Sequence, residues 1–232
     1  MLMLNAFDSY ERVARLYPSL IVSIPVIITC SAISTLFDAS SVLKIGVNSP
    51  IVTATLVLLS NIVRHFGREI EPKLWNSWGG PPSTRFLRKS DTHFAEETKL
   101  RIYQKILKDT GIDLTKDDSD EKITQAFAVI RNKLRDKKNK GLWLKTNQEY
   151  GFARNLLGSR WVWVGVALIA SILCFSIYRY SPNTPFLLCI SSLINLLIGI
   201  AAIICSWCIL PKLIKKIAER YAEDALTSYL NI

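Results

Sequence analysis

The sequence has few of the residues from which catalytic centres are built. It contains only two histidines, His65 and His93, and neither has the spacing of a metal-ligand set or a catalytic triad. The acidic stretch 113–121 lacks the glycine and the bidentate glutamate of an EF-hand loop. We therefore expect a protein that is not an enzyme and that has neither a metal site nor a cofactor.

The cysteines do not suggest redox chemistry either. All of them lie in apolar stretches: Cys30, Cys174, Cys189, Cys205 and Cys208. In such a setting cysteine behaves as a small, polarizable hydrophobic residue. Cys205 and Cys208 form a C-x-x-C pattern, but the surrounding sequence lacks the strand and helix context of a redox motif. We expect these side chains to contribute to packing.

Charged residues are absent from four long stretches of the chain. These stretches are Leu16–Phe37, Ile45–Val63, Trp161–Tyr178 and Phe186–Leu210. Each reaches or approaches the roughly 20 apolar residues that cross about 30 Å of hydrocarbon as a helix. We therefore predict an all-α integral membrane protein with four spans, arranged as two transmembrane helical hairpins.

Positive charge is concentrated between the two predicted hairpins. Residues 64–160 contain 21 Lys and Arg against 13 Asp and Glu, a surplus of eight in a chain of net charge +10. One side of the spans is flanked by Arg12, Arg15, Arg64, Arg68, Arg154, Arg160, Lys212, Lys215 and Lys216, and the other side by Lys44 and Arg179. By the positive-inside rule, both termini and the middle block are expected in the cytoplasm.

Composition divides the chain into four predicted domains. They are a transmembrane hairpin (1–66), a cytoplasmic helical insert (67–158), a second hairpin (159–210) and a cytoplasmic amphipathic helix (211–232). Helical spacing in the insert predicts helices over Phe94–Lys108 and from Ser119 to about Leu134. The second of these helices is expected to bury Ile123, Ala126, Phe127, Ile130 and Leu134. The basic run 135–140 is typical of a solvated helix end, with nucleic-acid backbone binding as the alternative. The C-terminal helix suits a lipid surface, the insert or a neighbouring subunit equally well.

Asn61 and Asn195 are the most polar residues of the predicted spans. Each is expected to face another helix, where a hydrogen bond contributes about 0.6–2 kcal/mol. Packing between helices is the simpler interpretation, and a polar lining for a pore or cavity is the alternative.

Two segments next to the membrane carry the densest local signals, and we call them the first and second elbow. The first elbow, residues 67–88, combines two tryptophans, Gly79-Gly80 and two prolines, after which Ser83 or Thr84 is expected to cap a short helix. Its arginines suit either a phosphate or lipid-headgroup site or simple anchoring to anionic lipid. The second elbow, residues 147–158, precedes the third span, so we expect the two elbows to meet.

The elbows together form the predicted ligand-binding or partner-binding site. We expect Glu149 and Arg154 to form ion pairs with Arg85, Arg88 or Glu71. The predicted site residues are Trp75, Trp78, Arg85, Arg88, Glu149, Tyr150 and Arg154.

The two elbow sequences also resemble those of a known group of proteins. The pattern W-x-x-W-G-G-x-P-S-T-R-x-L-R over Trp75–Arg88, with Y-G-F-x-R-N-L-x-G over Tyr150–Gly158, is similar to a family of uncharacterised bacterial four-span inner-membrane proteins. The resemblance implies a multi-pass inner-membrane location, a cytoplasmic insert and, for some members, an association with phage-defence genes. It implies no reaction.

Three functional hypotheses follow from these features. The first is a non-catalytic, homo-oligomeric membrane effector whose insert senses a ligand or partner and whose spans perturb the bilayer, with antiviral defence as its concrete form. The second is a membrane anchor or accessory subunit that recruits a cytoplasmic enzyme or a nucleic-acid-binding partner. The third, a membrane enzyme, lacks a general base with suitable spacing.

Overall fold

The computed structural model describes residues 9–36, 50–136, 141–180 and 186–232, and all regular secondary structure in these ranges is helical. The all-α class predicted from the sequence is therefore confirmed. The helices are α1 (Ser9–Ser34), α2 (Pro50–Ser77), α3 (Pro82–Arg85), α4 (Glu96–Thr110), α5 (Asp120–Asp136), α6 (Leu142–Gly158), α7 (Arg160–Tyr180) and α8 (Leu187–Leu230).

Three of these helices are long and apolar enough to cross a membrane, namely α1, α7 and α8. They overlap the first, third and fourth predicted spans, which supports the membrane location of the chain. Helix α2 is not among them. The predicted second span, Ile45–Val63, begins outside the described residues, and from Arg64 onward α2 carries charged side chains.

The chain packs as two compact units, which we call the apolar unit and the polar unit. The apolar unit comprises Met1–Ile70 and Gly151–Leu213, and the polar unit comprises Glu71–Tyr150 and Ile214–Ile232. All three division points fall inside helices, in α2, α6 and α8. The boundaries of the four domains predicted from composition differ from the boundaries of these two units, because composition reflects solvent preference whereas the units reflect packing. The four domain boundaries stay predictions.

Polar side chains join the helices of the apolar unit. Ser171 of α7 and Ser192 of α8 each donate a hydrogen bond from Oγ to the other residue's carbonyl, both at 2.9 Å. Asn195 of α8 is fully buried, and its Nδ2 donates to Thr29 Oγ1 of α1 at 3.0 Å. This bond supports the packing interpretation of Asn195. Asn61 is exposed on α2.

Two prolines are accommodated in long helices by the same device. Pro18 and Pro211 each follow a π-helical turn, Arg12–Leu16 in α1 and Cys205–Ile209 in α8. The residue before each proline, Tyr17 or Leu210, donates its N–H to the carbonyl five residues earlier. A wider turn gives room where a proline ring would clash with the preceding turn. The C-terminal amphipathic segment therefore continues the fourth predicted span without a break at Pro211.

The polar unit has its own hydrophobic core. α4, α5, α6 and the end of α8 contribute to it, and its fully buried large side chains are Phe86, Leu87, Ile102, Ile106, Leu114, Ile123, Ile130, Leu226 and Tyr229. The predicted buried face of α5 is confirmed, because Ile123, Ala126, Phe127, Ile130 and Leu134 are all buried. On α4, Ile102, Tyr103 and Ile106 are buried, whereas Leu100 and Leu107 are half exposed at the edge of the buried stripe.

The structure also decides among the three surfaces considered for the C-terminal helix. Ala222, Ala225, Leu226 and Tyr229 lie in the same core as the α4 and α5 side chains. The end of α8 therefore packs against the predicted insert.

Candidate functional site

The first elbow is a tight reversal that glycine makes possible. Gly79 and Gly80 have φ of 78° and 116°, a left-handed region that side chains with a Cβ rarely adopt. The Gly80 N–H bonds the Trp75 carbonyl at 2.9 Å and closes the end of α2. Helix α3 then begins at Pro82 with no side-chain cap, so the expected capping by Ser83 or Thr84 is wrong. Proline already suits the first helical position because it lacks the N–H that would need a partner there.

Arg85 fastens this reversal to the C-terminal helix. Its Nη1 donates to the Trp78 carbonyl at 3.2 Å, and its Nη2 donates to Glu219 Oε1 of α8 at 2.6 Å. Asp91 Oδ2 lies 3.7 Å from Nε. The partner of Arg85 is thus Glu219, 134 residues away in sequence, and not the expected Glu149.

Arg88 is held in a similar way. Its Nε and Nη2 form a two-pronged ion pair with the Asp120 carboxylate at 2.8 and 2.7 Å, and Nη1 donates to the Gly79 carbonyl at 2.9 Å. The Arg88 hydrogen bond lowers the pKa of Asp120. Because carboxylates within the chain already occupy both guanidinium groups, the geometry around Arg85 and Arg88 favours a structural joint over a site for an external phosphate.

Lys99 is a site residue that the sequence reasoning missed. It lies on the apolar face of α4, one turn before Ile102 and Tyr103, and is 6% exposed. Its Nζ donates to the carbonyls of Arg88 and Lys89, at 2.9 and 3.4 Å, and to that of Asp91. The available signal was a lysine at an apolar position of a helical repeat, which often marks a buried ammonium group that binds backbone carbonyls.

The second elbow contributes a tyrosine to the polar unit. Tyr150 is 6% exposed, its hydroxyl donates to Glu71 Oε1 at 2.9 Å, and its ring stacks on Tyr221 with centroids 6.1 Å apart. Since Glu71 belongs to the first elbow and Tyr150 to the second, this bond brings the two elbows into contact. Glu149 is half-buried on the same helix.

The elbows also meet in the apolar unit, where three helices approach so closely that glycine is required. A Cβ on Gly158 would lie 2.5 Å from backbone atoms of Phe66 and Gly67, and a Cβ on Gly67 would lie 2.0 Å from Asn155 Oδ1. A Cβ on Gly151 would lie 2.8 Å from Ala14 Cβ of α1. We call this contact of α1, α2 and α6 the glycine junction.

Asn155 joins the parts of the glycine junction. It is 1% exposed, its Nδ2 donates to the Ala14 carbonyl at 2.6 Å, and its Oδ1 accepts from Arg154 Nε and Nη2 at 3.3 and 3.2 Å. A single buried amide therefore links α6 to α1 and orients the Arg154 guanidinium.

Four arginines from three helices gather beside the glycine junction. Burial lowers the pKa of Arg64, and the positive charges of Arg15, Arg68 and Arg154 lower it further. The other three guanidinium groups are therefore close enough to disfavour the charge of Arg64. We call Arg15, Arg64, Arg68 and Arg154 the arginine cluster.

A second basic feature, which we call the basic cleft, lies in the polar unit. It has a volume of about 750 Å³ and is lined by Arg101, Gln104, Lys105, Lys108, Asp109, Lys133, Leu230 and Ile232. Arg101, Lys105 and Lys108 follow one face of α4 at spacings of four and three residues. Lys105 Nζ donates to the Leu230 carbonyl at 3.3 Å, while Arg101 and Lys108 form no ion pair among the residues that the structure describes.

Asp109 is the one carboxylate among the side chains that line the basic cleft, and it is already occupied. It accepts a 2.6 Å hydrogen bond from the Tyr229 hydroxyl and lies 2.9 Å from Lys133 Nζ. Both contacts lower the pKa of Asp109, and the hydrogen bond from Tyr229 has the larger effect. Asp109 therefore does not neutralise the charge of Arg101 or Lys108.

The seven predicted site residues divide between the two units. Trp75, Trp78, Arg85, Arg88, Glu149 and Tyr150 lie in the polar unit and Arg154 lies in the apolar unit. Trp78 is 9% exposed, so most of its side chain is packed inside the polar unit. Coupling among the seven stays a prediction. No family model, no curated protein and no solved structure matches this chain.

Proposed function

We propose that this protein is a non-catalytic membrane effector. In this proposal the apolar unit spans the bilayer four times, the polar unit lies in the cytoplasm and binds an anionic ligand or partner, and binding alters the spans. The observation that carries the proposal is a separately packed polar unit with its own core and a basic cleft, built on the same chain as three membrane-length helices. Helices α2, α6 and α8 contribute residues to both units. They therefore link the proposed ligand-binding unit covalently to the proposed membrane-spanning unit.

The packing supports an even number of crossings in the second half of the chain. Residues before α7 and residues near the end of α8 share one core, since Ile106 and Leu226 both belong to it. A chain that leaves a compartment and returns to it must cross the membrane an even number of times. Crossings by α7 and by the apolar part of α8 satisfy this requirement.

The same reasoning supports a second span in the first half. Ala14 and Gly67 both contact Asn155, so the start of α1 and the charged part of α2 lie at one level of the apolar unit. If α1 crosses the bilayer once, the chain must cross again before Gly67. Residues 45–63 are the apolar stretch available for this return.

The effector and anchor functions differ in what the spans do. The anchor function is favoured by the polar residues of the apolar unit, because Ser171, Ser192 and Asn195 bond neighbouring helices of the same chain. The pore-forming version of the effector function requires further chains around the pore, for which the exposed Asn61 offers a polar contact. Crosslinking in mild detergent is expected to give a discrete homo-oligomer, and a monomer at all concentrations would remove the pore-forming version.

Membrane permeability separates the two functions most directly. The protein is overproduced in a bacterium without its neighbouring genes, and entry of a membrane-impermeant dye and loss of membrane potential are recorded. The effector function predicts both changes, and it predicts their loss in Arg101→Glu/Lys108→Glu, which reverses the free charge of the basic cleft. The matched control is Arg131→Glu, an exposed position on α5 outside the cleft. Intact membranes with correctly inserted wild-type protein would favour the anchor function.

The resemblance of the two elbows to the inner-membrane family supports antiviral defence as the setting. Cells that express the protein at native level are expected to lower the plaque count of at least one phage in a broad panel. If Arg101→Glu/Lys108→Glu gives the same plaque count as the wild type, the basic cleft has no part in antiviral defence.

A further inference from the structure

The arginine cluster and the first elbow use arginine in different ways. Arg15 has a carboxylate partner, since its Nη1 lies 2.5 Å from Glu11 Oε1. Arg154 is oriented by the neutral amide of Asn155. Arg64 and Arg68 form no ion pair among the described residues. Arg64 and Arg68 therefore retain positive charge that the described part of the chain does not neutralise.

The positive charges of the arginine cluster are held close together although they repel one another. Arg64 and Arg68 are four residues apart on α2, a spacing at which like charges destabilise a helix. They cannot separate from Arg154 by a small shift of the helices, because Gly67 and Gly158 bring α2 and α6 into backbone contact. Such an arrangement is preorganised for an anion, since the guanidinium groups are gathered before the anion arrives.

The position of the cluster identifies the source of the anion. Arg15 directly precedes the first apolar run and Arg64 directly follows the second, so both lie where apolar helix surface gives way to charge. The adjoining apolar surface is open, with Tyr17 45% exposed and Leu58 61% exposed. A ligand with a phosphate at one end and hydrocarbon chains at the other matches both surfaces.

We propose that Arg64 and Arg68, which the glycine junction holds beside Arg154, form a binding site for the phosphate of an anionic phospholipid. The guanidinium forks bind the phosphate oxygens, and the acyl chains lie along the apolar surfaces of α1 and α2. The site requires the apolar unit to be in a membrane, but it does not depend on the effector function or on the basic cleft.

Native mass spectrometry of the purified protein in a mild detergent tests the site. Phosphatidylglycerol and phosphatidylcholine are added at equal concentration to the wild type, to Arg64→Gln/Arg68→Gln and to Arg179→Gln. Arg179 is an exposed arginine at the opposite end of α7 and serves as the matched control. The expected result is retention of phosphatidylglycerol by the wild type and the control, and at least about tenfold weaker retention by the double variant.

Several results would overturn the site. They are equal retention by the double variant, equal retention of the two lipids by the wild type, and displacement of phosphatidylglycerol by millimolar inorganic phosphate, which would indicate a free phosphate as the ligand. If the double variant fails to fold, Arg68→Gln and Arg68→Lys replace it, because Arg68 is exposed. Retention must then fall in the Gln variant and fall less in the Lys variant, which keeps the charge.

Discussion

Two groups of arginines from adjoining parts of the sequence reach opposite states in the fold. In the polar unit, Arg85 and Arg88 are bonded to Glu219 and Asp120 and to the carbonyls of the first elbow. In the apolar unit, Arg64 and Arg68 are gathered with other arginines and have no carboxylate partner among the described residues. The first group stabilises the fold, and the second keeps a positive charge that no described carboxylate neutralises. Residue type and proximity to the membrane therefore do not by themselves identify a binding arginine.

The largest expected effect comes from removing the close approach on which the arginine cluster depends. Gly158→Ala places a Cβ 2.5 Å from the backbone of α2, and backbone atoms cannot move aside as a flexible side chain can. We expect a loss of about 3 kcal/mol in the free energy of unfolding, or failure to fold. Thermal unfolding in detergent measures this loss.

The matched control for the junction is Gly165→Ala on α7. A Cβ there meets nothing within 4 Å, and alanine has the higher helix propensity. Its melting temperature is expected to equal or exceed that of the wild type. A similar loss of stability in both glycine variants would indicate that the junction is not the cause.

The next effect contrasts one arginine from each group. Arg85→Gln leaves the Glu219 carboxylate without its partner and is expected to cost about 2 kcal/mol. Arg64→Gln removes a half-buried charge that repels its neighbours. Without anionic lipid, the substitution is therefore expected to leave the free energy of unfolding unchanged or to raise it by between a few tenths of a kcal/mol and about 1 kcal/mol. Chemical denaturation in a zwitterionic detergent measures both free energies of unfolding. Equal losses of stability in the two variants would show that the two groups of arginines do not differ in this way.

A third prediction concerns Asp109 and tests whether a charge paired within the polar unit stabilises it. Tyr229→Phe removes the 2.6 Å hydrogen bond to Asp109 and is expected to cost about 1–2 kcal/mol at pH 7. Because the folded-state pKa of Asp109 is lowered, its ionised form stabilises the fold above its unfolded pKa of about 4. That stabilisation is lost as the pH falls through the folded-state pKa.

The pH dependence separates the charge of Asp109 from the packing of Tyr229. The difference between wild type and Tyr229→Phe is expected to shrink as the pH falls below about 4. A difference that stays constant from pH 7 to pH 3 would show that the phenol acts through packing alone. Chemical denaturation at a series of pH values provides the comparison.

The smallest effect is expected in the basic cleft. Arg101 is exposed and forms no ion pair among the described residues, so Arg101→Gln should change the free energy of unfolding by less than about 0.5 kcal/mol. Denaturation at low and high salt measures this change. A loss above about 1 kcal/mol would make Arg101 part of the fold, like Arg85.

Much of the polar unit could be predicted from sequence because its helices obey local rules. The spacing of Ile123, Phe127 and Ile130 predicts one buried face, and all three are buried. The left-handed conformations of Gly79 and Gly80 agree with the break predicted at that point. Local periodicity and turn chemistry are encoded within a few residues, which is why they can be read in order along the chain.

The partners of the site residues could not be predicted, because they depend on packing between distant segments. Arg85 meets Glu219 only because the end of α8 returns to the core of the polar unit. The continuity of α8 was likewise hidden, since Pro211 is a helix-breaking signal and the π-helical turn that accommodates it has no local sequence signature. The arginine cluster likewise depends on Gly67, Gly151 and Gly158, whose close contacts join segments that are far apart in the sequence.

The proposed function requires the apolar unit to lie in the membrane while the polar unit lies in the cytoplasm. Topology reporters inserted at Asp118 and after Ile232, and at Ser40 and Asn183 in the predicted outer turns, measure this directly. We expect cytoplasmic activity at Asp118 and Ile232 and external activity at Ser40 and Asn183. Cytoplasmic activity at Asn183 would contradict the second hairpin. External activity at Asp118 would place the polar unit and its basic cleft on the wrong side of the membrane.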